Sequence, residues 1–345
     1  MSADPLRLMQ VMAGAPHGGA EAFFERMVAA LSRAGVQQHL AIRRNPERSK
    51  LLTASGASIS EHRFGGRIDI LTPWQLSRQA KKFQPEVMLA WMSRAAMMTP
   101  KGYGTVAARL GGYYSLKYYK GCHHLIGNTR DICDYLVRKG WPEERTHYLP
   151  NFVDAEPRSA VLRSDFDTPE YVPLIFALGR IHRRKGFDVL LASLASMPRA
   201  YLWVAGEGPE EAELRRLASA LGVADRVRWL GWQRDVGGFY AASDVFVCPS
   251  RFEPLGNVVI EAWAHGVPVV ATTSAGPSAL IDDGVSGLLV PPEDADGMAA
   301  ALSSVLADPA KADALRGAGR EAYAKAFTEE AVVAQYLEFF AKVRG

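Results

Sequence analysis

Short apolar runs alternate with amphipathic stretches along most of the chain. In the first half, Leu6–Ala13 predicts a strand. Ala20–Ala34 predicts a helix, because Phe23, Met27, Val28 and Leu31 recur on one face and Gly35 supplies a stop. Further strands are expected at Gln38–Arg43, Val87–Trp91, Val106–Leu110 and His124–Gly127, with helices at Pro73–Phe83 and Thr129–Lys139. The pattern lapses between Asn151 and Pro173, where Pro157, Pro169, Pro173 and many charges read as an interdomain linker. It then restarts. Strands are expected at Leu174–Leu178, Tyr201–Ala205, Val227–Leu230, Val245–Pro249, Val267–Thr272 and Leu288–Val290. Between them fall helices at Gly186–Ser196, Glu210–Leu221, Val236–Ala242 and Val258–His265, with a helical turn at Ser278–Ile281. Strands alternating with helices imply parallel sheets covered on both faces. The fold class is α/β, with two doubly wound domains facing each other across a cleft. Their expected extents are 1–160 and 161–328, and a last helix, 329–345, is expected to pack back on the first domain through Val332, Val333, Tyr336, Leu337, Phe339 and Phe340.

Composition narrows the class. At 345 residues the chain exceeds what one core usually covers. Hydrophobic content of 48% and charged content of 22% are those of a globular protein. No apolar stretch approaches the roughly 18 uncharged residues that cross a bilayer, and Met1–Met12 reads as a first strand, not an export signal. Cys122, Cys133 and Cys248 match neither a disulfide framework nor a zinc site, which points to reduced thiols in the cytoplasm and to no bound metal. Charge is divided unevenly. Residues 1–160 hold 22 Lys and Arg against 13 Asp and Glu, a net of +9, whereas residues 161–345 hold 18 against 24, a net of −6. A basic first half suits an anionic partner, such as a phosphorylated acceptor or the inner face of the plasma membrane. Nothing suggests nucleic acid.

The segment Pro249–Thr272 carries the most chemistry. Glu253 and Gly256 lie in a loop, a helix opens near Asn257, and Glu261 follows inside it. Backbone N–H groups at Leu255, Gly256, Asn257 and Val258 form a cradle for phosphate oxygens at a helix N-terminus. The flanking carboxylates can accept bonds from sugar hydroxyls on either side of a diphosphate. A second segment, Gly179–Gly186, leaves a strand and opens a helix, with Arg180 as a planar fork of donors and Lys185 as a mobile point charge. In the first half, Gly18 and Gly19 allow close backbone approach beside His17.

These segments resemble the donor-site signatures of family 4 retaining glycosyltransferases: Gly179-Arg180 with Lys185-Gly186, and Glu253 with Glu261 eight positions beyond it. Ala205–Pro209, Ala242–Val245 with Pro249-Ser250, Asn128-Thr129 and Pro150–Asp154 resemble supporting parts of the same family in the same order. The resemblance implies a GT-B fold and transfer of a sugar, with retention, from a nucleoside diphosphate sugar. UDP comes first among the bases, with GDP and ADP as alternatives. It further implies that Arg180 and Lys185 hold the diphosphate, Glu261 the ribose and Glu253 the donor sugar, without a metal or other cofactor. Gly18, Gly19, Gly179, Glu207 and Trp232 join the donor set, with Gly231-Trp232-Gln233 beside the base and His17 on the acceptor side. A glycan or lipid-linked acceptor, as in lipopolysaccharide or another cell-surface glycan, fits the family and the basic first half.

One departure stands out. Where many relatives carry a histidine, this chain reads Val106–Tyr114 without one, and Arg109 is the candidate catalytic and acceptor-side cation in its place, with a structural cation as the alternative. Two other classes remain open: a bilobal small-molecule binding protein and a nucleotide-dependent oxidoreductase. The second is weak, because Gly102–Ala107 precedes a strand and Gly206–Gly208 lacks a third glycine.

Overall fold

The computed structural model describes residues 5–16, 18–65, 69–153 and 155–344; His17 and Asp154 lie outside the described residues. The chain separates into two compact units, one of Met1–Phe152 with Glu329–Gly345, the other of Val153–Thr328.

The first unit is a seven-stranded parallel sheet. Its strands are β1 (Arg7–Met12), β2 (Gln37–Arg43), β3 (Ser58–His62), β4 (Val87–Trp91), β5 (Thr105–Leu110), β6 (His124–Gly127) and β7 (Thr146–Tyr148), in the spatial order β3-β2-β1-β4-β5-β6-β7. β4 is buried at every position and β1 at all but its first, as central strands covered on both faces must be. Helix α1 (Gly19–Arg33) buries Phe23, Phe24, Met27, Val28 and Leu31. Phe23 and Phe24 meet Trp91 at 5.9 and 5.2 Å between ring centroids. The remaining helices before the sheet closes are α2 (Pro46–Thr53), α3 (Leu71–Phe83), α4 (Met92–Met98) and α5 (Arg130–Arg138).

The second unit has six parallel strands: β8 (Leu174–Leu178), β9 (Tyr201–Ala205), β10 (Val227–Gly231), β11 (Val245–Cys248), β12 (Val269–Thr272) and β13 (Leu288–Val290). Their order is β10-β9-β8-β11-β12-β13. The helices are α6 (Phe187–Ala195), α7 (Glu211–Ala220), α8 (Gly237–Ala242), α9 (Asn257–Ala264), α10 (Ala275–Leu280), α11 (Ala295–Ala307) and α12 (Pro309–Ala326). The final helix, α13 (Glu329–Val343), returns to the first unit. It buries Val332, Val333, Tyr336, Phe339 and Phe340 in the core that α1 and β1 share, with Leu337 packed at its edge. The Thr105 hydroxyl donates to the Val343 carbonyl at 2.7 Å, and Arg33 pairs with Glu329.

Both sheets reverse their strand order once, between β1 and β4 and between β8 and β11. At such a switch point the connections leave in opposite directions and open a crevice beyond the carboxyl ends of the strands.

Two histidines of the first unit, His39 on β2 and His147 on β7, are held neutral within its sheet. His39 lies 2.7 Å from the Ser58 hydroxyl and 3.0 Å from that of Ser60. Burial, then His62 and Lys82 nearby, pushes its pKa down to about 4. Burial, then His124 and Lys342, likewise lowers His147 to about 4. Both rings are neutral in the fold, whereas a free histidine takes up a proton near pH 6.5. Their contribution is therefore complete above pH 6.5 and is lost as pH falls toward about 4. The thermal midpoint of the protein should drop across this window, and His147→Gln should lessen the drop. A midpoint that stays level there would refute the assignment.

Candidate functional site

The second unit's switch point gathers the residues singled out from sequence. β8 runs into Gly179 and Arg180, and β11 runs into the Pro249–Glu253 loop, so the two segments leave adjacent strands. A set of backbone bonds fastens the neighbouring loops. Gly179 N–H donates to Ala205 O at 3.0 Å, Ile181 N–H to Glu207 O at 2.9 Å, and Phe252 N–H to Arg184 O at 3.1 Å. Glycine is required where these chains touch: a Cβ on Gly206 would overlap the Gly179 carbonyl oxygen, and one on Gly208 that of Ile181. Gly186, at φ +66°, presses on the Pro249 carbonyl in the same way.

Lys185 ends a 3-10 turn, Arg183–Lys185, and pairs with the carboxylate of Glu253. Glu253 is 7% exposed, and its second oxygen accepts the Gly256 N–H at 3.4 Å. An ammonium has three donors, so Lys185 can hold Glu253 and still meet an anion. Gly256, at φ +70°, is the N-cap of α9, and no side chain caps that helix. The first turn of α9 thus begins beside the Glu253 carboxylate, at a helix end that favours negative charge. Arg180 is exposed and, among the described residues, has no hydrogen-bonded or charged partner.

Glu261 lies farther along α9. The buried Tyr240 hydroxyl points at its carboxylate, 3.4 Å away, and at Val258 O, 3.3 Å away. Burial, then the Glu261 charge, holds the Tyr240 pKa well above the ordinary phenol range, so this group remains a donor. The His265 ring stacks on Tyr240 at 5.2 Å. On the far side of β8, the backbone N–H of Trp232 donates to Glu207 Oε1 at 3.3 Å, and Trp232 is 64% exposed.

Arg251 escaped the sequence reading. Its guanidinium binds Asp188 through two nitrogens, at 2.6 and 2.7 Å, pairs with Glu293, and donates to Arg183 O at 2.8 Å. The bonds to Asp188 and Glu293 raise the Arg251 pKa further above its usual range. One side chain therefore ties the Lys185 turn, the start of α6 and the glutamate loop together. The only sequence signal was a cation two positions before Glu253.

Arg109 requires a correction. It was expected as a catalytic and acceptor-side cation, but it is 3% exposed and enclosed in the first unit. It donates to the Tyr336 hydroxyl at 2.9 Å and bonds Asn151, and its charge lies 4.5 Å from the Phe23 ring and 5.0 Å from that of Trp91. These partners occupy the guanidinium and anchor α13 to β5. Gly18 is also spoken for: a Cβ there, or on Gly14, would strike the buried Glu21 carboxylate, which accepts the Ala15 N–H at 2.7 Å. The space around Gly19 is open. At the switch point of this sheet, Met92 directly after β4 holds a left-handed φ of +64°, a strain that periodicity does not reveal.

A groove of about 760 Å³ occurs elsewhere in the second unit, among Pro173, Arg199 and Asp244. These residues precede strands β8, β9 and β11, so the groove belongs to the opposite end of the sheet from the charged cluster.

A family model described as Glycosyl transferases group 1 matches residues 172–308, and one described as Glycosyltransferase Family 4 matches residues 17–157. The chain is 39% identical over 329 residues to the lipopolysaccharide core biosynthesis glycosyltransferase LpsE of Rhizobium meliloti, covering 94% of this chain and 96% of the relative. Among solved structures, a glycosyltransferase of Rickettsia africae superposes with a TM-score of 0.89 at 18% identity, over 99% of each chain. Anabaena HepE, solved in complex with UDP and glucose, superposes with a TM-score of 0.83 at 19% identity, over 98% of this chain and 100% of that one. With two parallel sheets of seven and six strands, the fold is GT-B. Its sequence, matched along nearly its whole length, makes this chain a member of the family 4 glycosyltransferases.

Proposed function

We propose that the protein moves a sugar, with retention of configuration, from a nucleoside diphosphate sugar to a saccharide hydroxyl of the lipopolysaccharide core. The observation that carries the donor assignment is the Lys185–Glu253 pair beside the uncapped N-terminus of α9. Lys185, Arg180 and the first-turn N–H groups would together form a site for a diphosphate, which favours positive potential and backbone donors. They would supply the charge stabilisation that a metal gives other transferases. Glu253 would orient the donor sugar, Glu261 would accept from the ribose, and the exposed Trp232 would lie against the base, with Gly179 and Glu207 shaping the approach. As the anomeric bond lengthens, negative charge collects on the leaving phosphate, and Arg180 and Lys185 would bind it more tightly than the ground state. The acceptor hydroxyl would attack from the face that the diphosphate leaves, giving up its proton to the departing phosphate oxygen.

UDP is the first choice of nucleotide, supported by the complex of Anabaena HepE with UDP and glucose. The core assignment rests on the name of the Rhizobium meliloti relative. The first unit, with Gly19 open at its glycine turn, would serve the acceptor, and the second the donor. Among the described residues no helix is long and apolar enough to cross a membrane. The enzyme would work in the cytoplasm, against the inner face of the membrane where a lipid-linked acceptor is held.

The test is a screen of UDP-, GDP- and ADP-sugars that detects released nucleotide, with and without membrane extract from a core-deficient strain. Release of one nucleotide, stimulated by the extract, is expected. Absence of release from every donor would overturn the reading.

A further inference from the structure

The outer stripe of α3 is divided into an apolar end and a basic end. Thr72, Leu76 and Ala80 bury the inner stripe against the first unit. The opposite stripe, Leu71, Trp74, Arg78 and Lys82, repeats at helical spacing and is exposed throughout, with Lys81 beside it. At its amino end Ile70, Leu71 and Trp74 are 79%, 58% and 60% exposed. Large apolar side chains on a soluble surface are ordinarily scattered, so three within five positions mark a contact surface. No acidic residue occurs anywhere in α3. Arg78 and Lys82 line a cavity of about 380 Å³ with Trp74, Gln75, Gln79 and, from β3, Ser60, Glu61 and His62. The surrounding half of the chain carries a net charge of +9.

We infer that this stripe of α3 docks the protein on an anionic lipid surface, with Ile70, Leu71 and Trp74 entering the headgroup boundary and Arg78, Lys81 and Lys82 meeting lipid phosphates. A helix with an apolar tip and a basic shank lies in a membrane interface by combining these two contacts. Tryptophan is suited to the boundary, because its ring is apolar and its N–H polar. Charge decides between a bilayer and a protein partner: Arg78, Lys81 and Lys82 outnumber the neighbouring Glu61, and on a basic half they complement a continuous anionic surface. The inference deepens the membrane-side reading above by naming the surface.

Co-sedimentation of the full chain with vesicles tests it, using phosphatidylcholine alone and an equal mixture with phosphatidylglycerol. Binding to the mixed vesicles only, weakened by added salt, is expected. Leu71→Ser with Trp74→Ser should lower vesicle affinity at least about tenfold. Arg78→Gln with Lys82→Gln should lower it about fivefold for each charge removed. Circular dichroism would verify that both variants fold, as their exposure leads one to expect. Equal binding to both vesicles, no binding to either, or variants that bind as the wild type does would overturn the inference. So would a dimer in sedimentation velocity that Leu71→Ser with Trp74→Ser dissolves, since a second copy would then own the patch. Vesicle binding is read without turnover, so its failure rejects the docking surface alone, whereas absent nucleotide release rejects the transfer reading alone.

Discussion

Lys185→Ala should lower turnover at saturating donor by about a hundredfold to a thousandfold, the usual cost of losing one donor aimed at developing charge. Two effects would act together. The leaving diphosphate would lose a cation whose grip tightens as the bond breaks, which affects kcat more than KM. Glu253, 7% exposed, would also be left as an uncompensated buried carboxylate, and breaking such a pair costs about 3–5 kcal/mol. A double variant separates the two. Lys185→Met with Glu253→Gln removes both charges, so it should regain thermal stability without regaining turnover. Lys185→Arg keeps the charge on a bulkier planar group and should retain partial activity. Turnover within about tenfold of wild type in Lys185→Ala, measured by steady-state nucleotide release, would disprove the role.

Gly186→Ala should destabilise the second unit by about 3 kcal/mol and disable donor binding with it. Gly186 sits at φ +66°, where an L side chain costs about 1 kcal/mol before any contact is counted. The added Cβ would also overlap the Pro249 carbonyl oxygen and lie 3.0 Å from its carbon. Backbone cannot rotate out of the way, so the Lys185 turn and the glutamate loop would part. Gly222→Ala is the control. Its φ is +68°, but nothing lies within 4 Å of its Cβ position, so it should show the conformational cost alone. Melting followed by calorimetry should place Gly186→Ala about 6–12 °C below wild type and Gly222→Ala only a few degrees below. Equal shifts in the two variants would mean that the contact with Pro249 is unimportant.

The parts of this molecule that could be read from sequence are those whose burial is one-sided or complete. β4, β8 and β11 are unbroken apolar runs because helices cover both their faces, and α1 shows its buried stripe directly. Four elements gave no such signal. β3 is a polar edge strand, Ser-Ile-Ser-Glu-His, and β7 has three half-buried residues. α2 is mostly exposed, and α4 starts at Met92 with no turn residue to separate it from β4. In the charged cluster of the second unit, the placing of Lys185, Glu253 and Glu261 at a turn and a helix start was legible because the turn–helix pattern around them is local. Arg109 and Arg251 were not. Tyr336 and Asn151 are 227 and 42 residues from Arg109, and Asp188 and Glu293 are 63 and 42 residues from Arg251. A guanidinium in the run Val-Ala-Ala-Arg-Leu looks the same whether it faces a ligand or an internal phenol. Only the fold reveals that Arg109 holds the last helix, and that Arg251 holds the Lys185 turn to the loop of Glu253.

A crystal structure with UDP bound would decide most directly whether the second unit's switch point is the donor site. The pyrophosphate should lie within hydrogen-bonding distance of Lys185 Nζ, the Arg180 guanidinium and the first N–H groups of α9, with the ribose hydroxyls at Glu261. Nucleotide found instead in the groove among Pro173, Arg199 and Asp244, with the Lys185–Glu253 cluster untouched, would contradict the assignment.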